Sequence, residues 1–165
     1  MGRVKSRYLA GAAGAALLAA ASVYTGAWEG EKHVAYQDSG GVWTICRGIT
    51  KGVYKGMKAT PAQCEAMDRE ELLAHEARML ACAPELLKVP DKTYIAINDW
   101  AYNVGTGAAC KSTLIRKLKA GDLRGACNEL SKWIFVKGKV IKGLKNRRVD
   151  GTVGRVSERT LCLEG

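Results

Sequence analysis

Polar and apolar positions divide the chain into an uncharged leader, a short alternating stretch and a series of segments with helical period. Arg3, Lys5 and Arg7 precede a run without charge from Tyr8 to Trp28, in which only Leu9, Leu17, Leu18 and Val23 are strongly apolar among many Ala and Gly. A helix over that run rises about 1.5 Å per residue and just matches a hydrocarbon core of about 30 Å. Each strongly apolar residue contributes only about 0.3 to 0.6 kcal/mol to insertion, so such a helix is held weakly in lipid and can leave it. The basic residues come first, which keeps the N-terminus in the cytoplasm and exports everything after Trp28. Ala19-Ala20-Ala21 also offers the small residues of a cleavage site, so a cleaved signal peptide is the alternative.

After Trp28 the pattern changes to that of a small sheet. Tyr36-Gln37-Asp38, a turn at Ser39-Gly40-Gly41 and the β-prone run Val42-Trp43-Thr44-Ile45-Cys46 predict a hairpin. Thr60-Pro61-Ala62-Gln63 reads as a capping box with proline at the first helical position, opening a helix to about Cys82. Asp91 is the expected cap of a helix through Tyr94, Ile95, Ile97, Trp100 and Ala101 that ends near Gly105. Ser112 opens a shorter one that stops before Gly121, Asp122 starts a segment to about Phe135, and a last helical region covers parts of 143–163, interrupted by Gly151 and Gly154. The sum is a mostly helical α+β domain with one small sheet near its start.

Charge and cysteine usage add a compartment and a class of partner. With 26 Lys+Arg against 16 Asp+Glu, the formal charge of +10 favours a polyanion such as nucleic acid, anionic lipid or an acidic cell wall. Lys and Arg are dispersed and the chain reads as exported, which argues against nucleic acid. Lys137, Lys139, Lys142, Lys145, Arg147 and Arg148 form the densest cluster and read as a solvated face. Cys46, Cys64, Cys82, Cys110, Cys127 and Cys162 lack the close Cys-x-x-Cys spacing of a zinc or redox motif, and an even count fits disulfides in an oxidising compartment. Six reduced core thiols are the alternative. His33 and His75 stand apart, read as solvent-facing and suggest no metal site.

The chemistry lies between the leader and the hairpin. Cleaving a glycosidic bond needs a proton donor on the leaving oxygen and a second group that attacks the sugar or activates water. Glu29 follows the apolar run where a helix would end, Asp38 stands beside the hairpin turn, and Thr44 can share a water with Asp38. A solvated helix-end acid and a plain turn-forming Asp are the simpler roles for the first two.

The Glu-x8-Asp-x5-Thr spacing within WEGEKHVAYQDSGGVWTICRG resembles the phage lysozymes of the T4 type, and particularly the endolysins of lambdoid and related phages. Ala101-Tyr102-Asn103-Val104-Gly105, Ser112-Thr113-Leu114, Gly121-Asp122 and Gly143-Leu144-Lys145-Asn146-Arg147-Arg148 resemble the rest of that family. One departure is Cys46-Arg47-Gly48-Ile49-Thr50, where many relatives carry His before the Thr.

The resemblance implies a lysozyme-like fold of two lobes, a small sheet lobe and a larger helical one, with polysaccharide between them. It implies a lysozyme that hydrolyses the β-1,4 bond between N-acetylmuramic acid and N-acetylglucosamine, with inversion, causing host lysis. Glu29 is then the general acid, set among apolar residues that favour its protonated form, and ionised Asp38 orients water with Thr44. Inversion calls for carboxyl groups roughly 6.5 to 9.5 Å apart. No cofactor is implied, and the enzyme is expected to be a monomer.

Residues 1–28 resemble a signal-anchor-release segment ahead of a catalytic domain over 29–165. The segment would contact the host inner membrane through residues 8–28, with the catalytic domain periplasmic and later released. Some relatives gate activity through a cysteine in the anchor; none is present there. Control by topology and refolding is the expectation, with family likeness suggesting the pairs Cys46–Cys64, Cys82–Cys110 and Cys127–Cys162. A lytic transglycosylase on the same bond and a non-catalytic basic wall-binding protein are the competing functions.

Overall fold

A computed structural model describes residues 6–38 and 40–165. Arg3, Lys5 and Ser39 of the expected flank and turn lie outside them. The uncharged run forms helix α1 (Gly11–Trp28), which buries Gly14, Leu17, Leu18, Ala21 and Thr25. That spacing is one helical face. Leu17, Leu18 and Ala21 join the main core with Trp100, Ile97 and Leu114, whereas Leu9 and Val23 remain 69% and 74% exposed. Among the described residues no helix is long and apolar enough to cross a membrane.

β1 (Lys32–Gln37) and β2 (Trp43–Cys46) form the expected antiparallel hairpin, with Tyr36 opposite Thr44 and Gln37 opposite Trp43. Ile45, Cys46, Ile49, Ala59 and Cys64 make a separate small core beneath it. Two cores thus define two lobes. Arg47 ties them. Its guanidinium reaches Glu31 at 2.9 Å and Asp68 at 3.6 Å, and it lies against Gly26 of α1, where a Cβ would come within 2.7 Å of it. Only glycine allows that approach.

The capping box forms as predicted at the start of α2 (Pro61–Cys82), with Thr60 and Gln63 exchanging side-chain and backbone bonds. α3 (Asp91–Val104) is capped by Pro90 rather than Asp91, which is its first residue. Its residues from Thr93 to Ala101 are all buried, the pattern of a helix enclosed by its neighbours. α4 (Thr106–Cys110), α5 (Thr113–Lys119) and α6 (Leu123–Glu129) follow, α5 and α6 capped by Ser112 and Asp122.

The segment expected to run from Asp122 to Phe135 is shorter than its pattern suggests. After a 3-10 turn it gives way to a second hairpin, β3 (Phe135–Val136) and β4 (Lys139–Val140). Lys137 and Gly138 turn it with positive φ, the geometry favoured by a two-residue hairpin loop. α7 (Lys142–Lys145), a π-turn at Asn146–Asp150 and α8 (Glu158–Leu163) close the chain. Two readings of side-chain exposure need correction. His75 is buried beside Tyr102, and Arg147 and Arg148 are buried instead of joining the solvated lysines around them.

The cysteines pair as Cys46–Cys64, Cys82–Cys110 and Cys127–Cys162. The first closes an 18-residue separation and staples the hairpin lobe to α2. Replacing Cys46 and Cys64 by Ser lowers stability by about 3 kcal/mol, the loop-closure entropy returned to the unfolded chain. Denaturant unfolding of the double variant checks this.

Candidate active site

Glu29 stands where α1 stops. Its backbone is extended and its N–H donates to the Thr25 carbonyl at 3.2 Å, so the end of the helix sets the direction of the side chain. The carboxylate is 28% exposed and accepts from Nη1 of Arg147 at 2.5 Å. The apolar surroundings expected for Glu29 are therefore replaced on one side by a guanidinium. Sequence proximity to the leader's Ala and Trp suggested otherwise, but Arg147 arrives from 118 residues along the chain.

Arg147 is held from three sides. Its Nη2 and Nε donate to the two oxygens of Asp99 at 3.0 and 3.3 Å, and Nε also reaches Glu158 at 3.1 Å. Arg148 donates to the same Glu158 oxygen and to Asn103. The side chains of Asp99, Glu158 and Arg148 have no exposed surface. Desolvation opposes the charge on Arg147, yet Asp99, Glu158 and Glu29 together outweigh it and hold its pKa up. Burial, followed by the field of Asp99, pushes the Glu158 carboxyl well above the usual range. Burial lowers Arg148. None of these three partners was anticipated. A signal existed: Asp99 stands among Ile95, Ile97, Trp100 and Ala101, and a buried carboxylate requires a cationic partner elsewhere.

Asp38 and Thr44 meet at Val42. Asp38 is exposed, and its Oδ1 accepts from the N–H groups of Gly40 at 2.8 Å and Val42 at 2.9 Å. Thr44 is buried and its hydroxyl donates to the Val42 carbonyl at 3.0 Å. Asp38 thus does shape the turn, as the simpler reading had it, and the same turn brings it to Thr44.

A groove of about 450 Å³ separates the lobes, with Ile49 and Lys51 on the sheet side and His75, Tyr102 and Thr106 on the helical side. Burial raises the Tyr102 phenol, with the charges of Glu71, Asp68 and Glu29 adding to the effect. Burial also lowers His75 to about 4, leaving its imidazole neutral. Glu29, Asp38 and Thr44 are not among the residues lining this groove. A second depression of 430 Å³ lies between α1 and α2 and is lined by none of the trio. Glu31, His33 and Cys64 approach one another, but the Cys64 sulfur is committed to a disulfide and offers no thiolate to a metal.

The model of the phage lysozyme family matches residues 26–150. The SAR-endolysin of Enterobacteria phage PA-2 is 38% identical over 139 residues, covering 83% of this chain and 78% of the relative. That of Bacteriophage PS119 is 34% identical over 169 residues, covering 98% and 95%. Among solved structures, the active form of the P1 phage endolysin superposes with a TM-score of 0.73 at 26% identity, over 88% of this chain and 84% of that one.

Proposed function

Because the chain belongs to the phage lysozyme family, we propose that it is a peptidoglycan-hydrolysing endolysin cleaving the β-1,4 bond between N-acetylmuramic acid and N-acetylglucosamine, with Glu29 as general acid. The observation that carries the reading is the placement of the Glu29 carboxyl, partly exposed at a helix end and oriented by a buried arginine. Glu29 gives its proton to the glycosidic oxygen as the bond breaks. Asp38, in its polar turn, and the Thr44 oxygen hold the water that attacks the sugar from the opposite face. The glycan lies between the sheet lobe and the helical lobe. The net charge of +10 favours an anionic wall.

Before release, residues 8–28 lie in the host inner membrane with the catalytic body in the periplasm. Two features support this. These two relatives are SAR-endolysins, and Leu9 just before α1 and Val23 within it face solvent while α1 buries only a narrow face. A helix of this marginal apolarity can exchange lipid for the core of its own protein, and only then does Glu29 come to Arg147. Tethered enzyme is accordingly inactive.

Product analysis tests the reaction. Hydrolysis leaves a reducing N-acetylmuramic acid end whose first-formed anomer is inverted, read by proton NMR in the first minutes of digestion. A 1,6-anhydro product identifies a transglycosylase and refutes the assignment of water to Asp38 and Thr44. Retention of configuration refutes the inverting geometry.

A further inference from the structure

Glu29, Asp99 and Glu158 share two guanidiniums, Arg147 and Arg148. Three carboxylates against two cations leave one negative charge in excess, and two of the three carboxylates have no exposed surface. Such a cluster retains a proton more readily than an isolated pair, since burying an uncompensated charge is costly. Without Asp99 the count balances with both remaining carboxylates ionised, and the proton is no longer needed.

We infer that Asp99 is a positioning and charge-setting residue: it clamps Arg147 from the side away from Glu29 and supplies the anion that makes the cluster keep the proton Glu29 delivers. The inference rests on the reading of Glu29 as the acid. Its geometry is bidentate, with Arg147 donating to both Asp99 oxygens while its remaining nitrogen, Nη1, points to Glu29. This fixes the fork of the guanidinium in one plane. Arg147 unopposed would favour the Glu29 anion, the wrong form for an acid, and Asp99 offsets that field.

The proton belongs to the cluster, not to one carboxyl. Burial drives Glu158 toward its protonated form. Arg147 connects it to Glu29, touching Glu158 through Nε and Glu29 through Nη1. The other charged and titratable groups facing this set are Arg148 from the π-turn, Tyr24 from α1 and Tyr102 from α3. Burial raises the Tyr102 phenol and keeps it neutral. Arg155 lies over the Trp28 ring beside Glu29. None of these supplies the third anion; Asp99 does.

The test is the pH dependence of kcat/KM on purified peptidoglycan for the full-length enzyme and for Asp99→Asn, with folded fraction measured at each pH. Removing one negative charge lowers the cluster's proton affinity, so the alkaline limb of the profile moves to lower pH by on the order of one unit. Asp99→Glu, which restores the charge, moves it back. A uniform loss of activity with the limb unmoved means that Asp99 only supports the fold, and overturns the inference. Should Asp99→Asn fail to fold, carbon-13 carboxyl titration of the parent decides. Coupled two-step titration of Glu29 and Glu158 supports a shared proton, and independent single-step curves overturn it. That readout does not depend on activity, so it separates failure of this inference from failure of Glu29 as the acid.

Discussion

Glu29→Gln folds as the parent does and loses on the order of a thousandfold in turnover on peptidoglycan, the middle of the range for removing a general acid. The amide is isosteric with the carboxyl, and its oxygen can still accept from Nη1 of Arg147. The bond that ends α1 is made by the backbone, Glu29 N–H to Thr25, and survives the change. Arg147 keeps Asp99 and Glu158 and is not left unpaired. The stability cost is therefore about 1 kcal/mol, which shifts Tm by about 2 to 4 °C at this chain length. What the variant lacks is a proton to give the leaving oxygen. A Gln variant within tenfold of the parent on the same substrate removes Glu29 from the mechanism.

Glu76→Ala has the largest effect on stability, about 4 kcal/mol, and it loosens the N-terminal end of the chain. Glu76 lies in α2 with almost no exposed surface. Its Oε1 accepts from the backbone N–H of Arg7 at 2.9 Å and of Tyr8 at 3.1 Å and from the Tyr94 hydroxyl; its Oε2 accepts from Ser6. Four donors lose a common acceptor in the Ala variant, and at about 1 kcal/mol each, the low end for donors left unpaired, the sum is about 4. The consequence is local before it is global. Arg7 donates to the Val89 carbonyl at 2.6 Å and pairs with Asp91, and the Arg7 carbonyl passes so close to Gly14 that a Cβ there would lie 2.4 Å away. Loss of Glu76 frees this strap while the α1 face at Leu17, Leu18 and Ala21 stays packed. Denaturant unfolding measures the first effect. Amide exchange at Arg7 and Tyr8 measures the second, with protection in the parent lost in the variant. A cost under about 1 kcal/mol with protection intact shows that the strap is held by other contacts.

The hairpin and α2 were legible before any coordinates because each rests on local chemistry. A β-prone run beside Gly40-Gly41 makes a turn wherever it is placed, and Thr60 with Gln63 caps a helix using only its own residues. Asp38 and Thr44 share that local origin, since one turn brings both to Val42. The uncharged run that becomes α1 was equally visible, as were six cysteines suited to disulfides, but the face by which α1 packs was not. The second hairpin was not, because two-residue strands carry too few positions to show a period of two against the lysines around them.

Tertiary structure alone decided the company Glu29 keeps. Its acid could be found from the sequence, but Arg147 lies 118 residues away and reads locally as one more cation in a basic stretch. Whether an arginine is solvated or buried depends on which helices close over it, and here α3 and α8 supply Asp99 and Glu158 to make that burial tolerable. His75 went the same way: one imidazole in a polar-looking helix is exposed or enclosed according to its neighbours, and Tyr102 encloses it. Local bonds depend on residues a few positions apart and can be read along the chain. The compensation of buried charge depends on where distant segments meet, and it sets the surroundings in which the acid works.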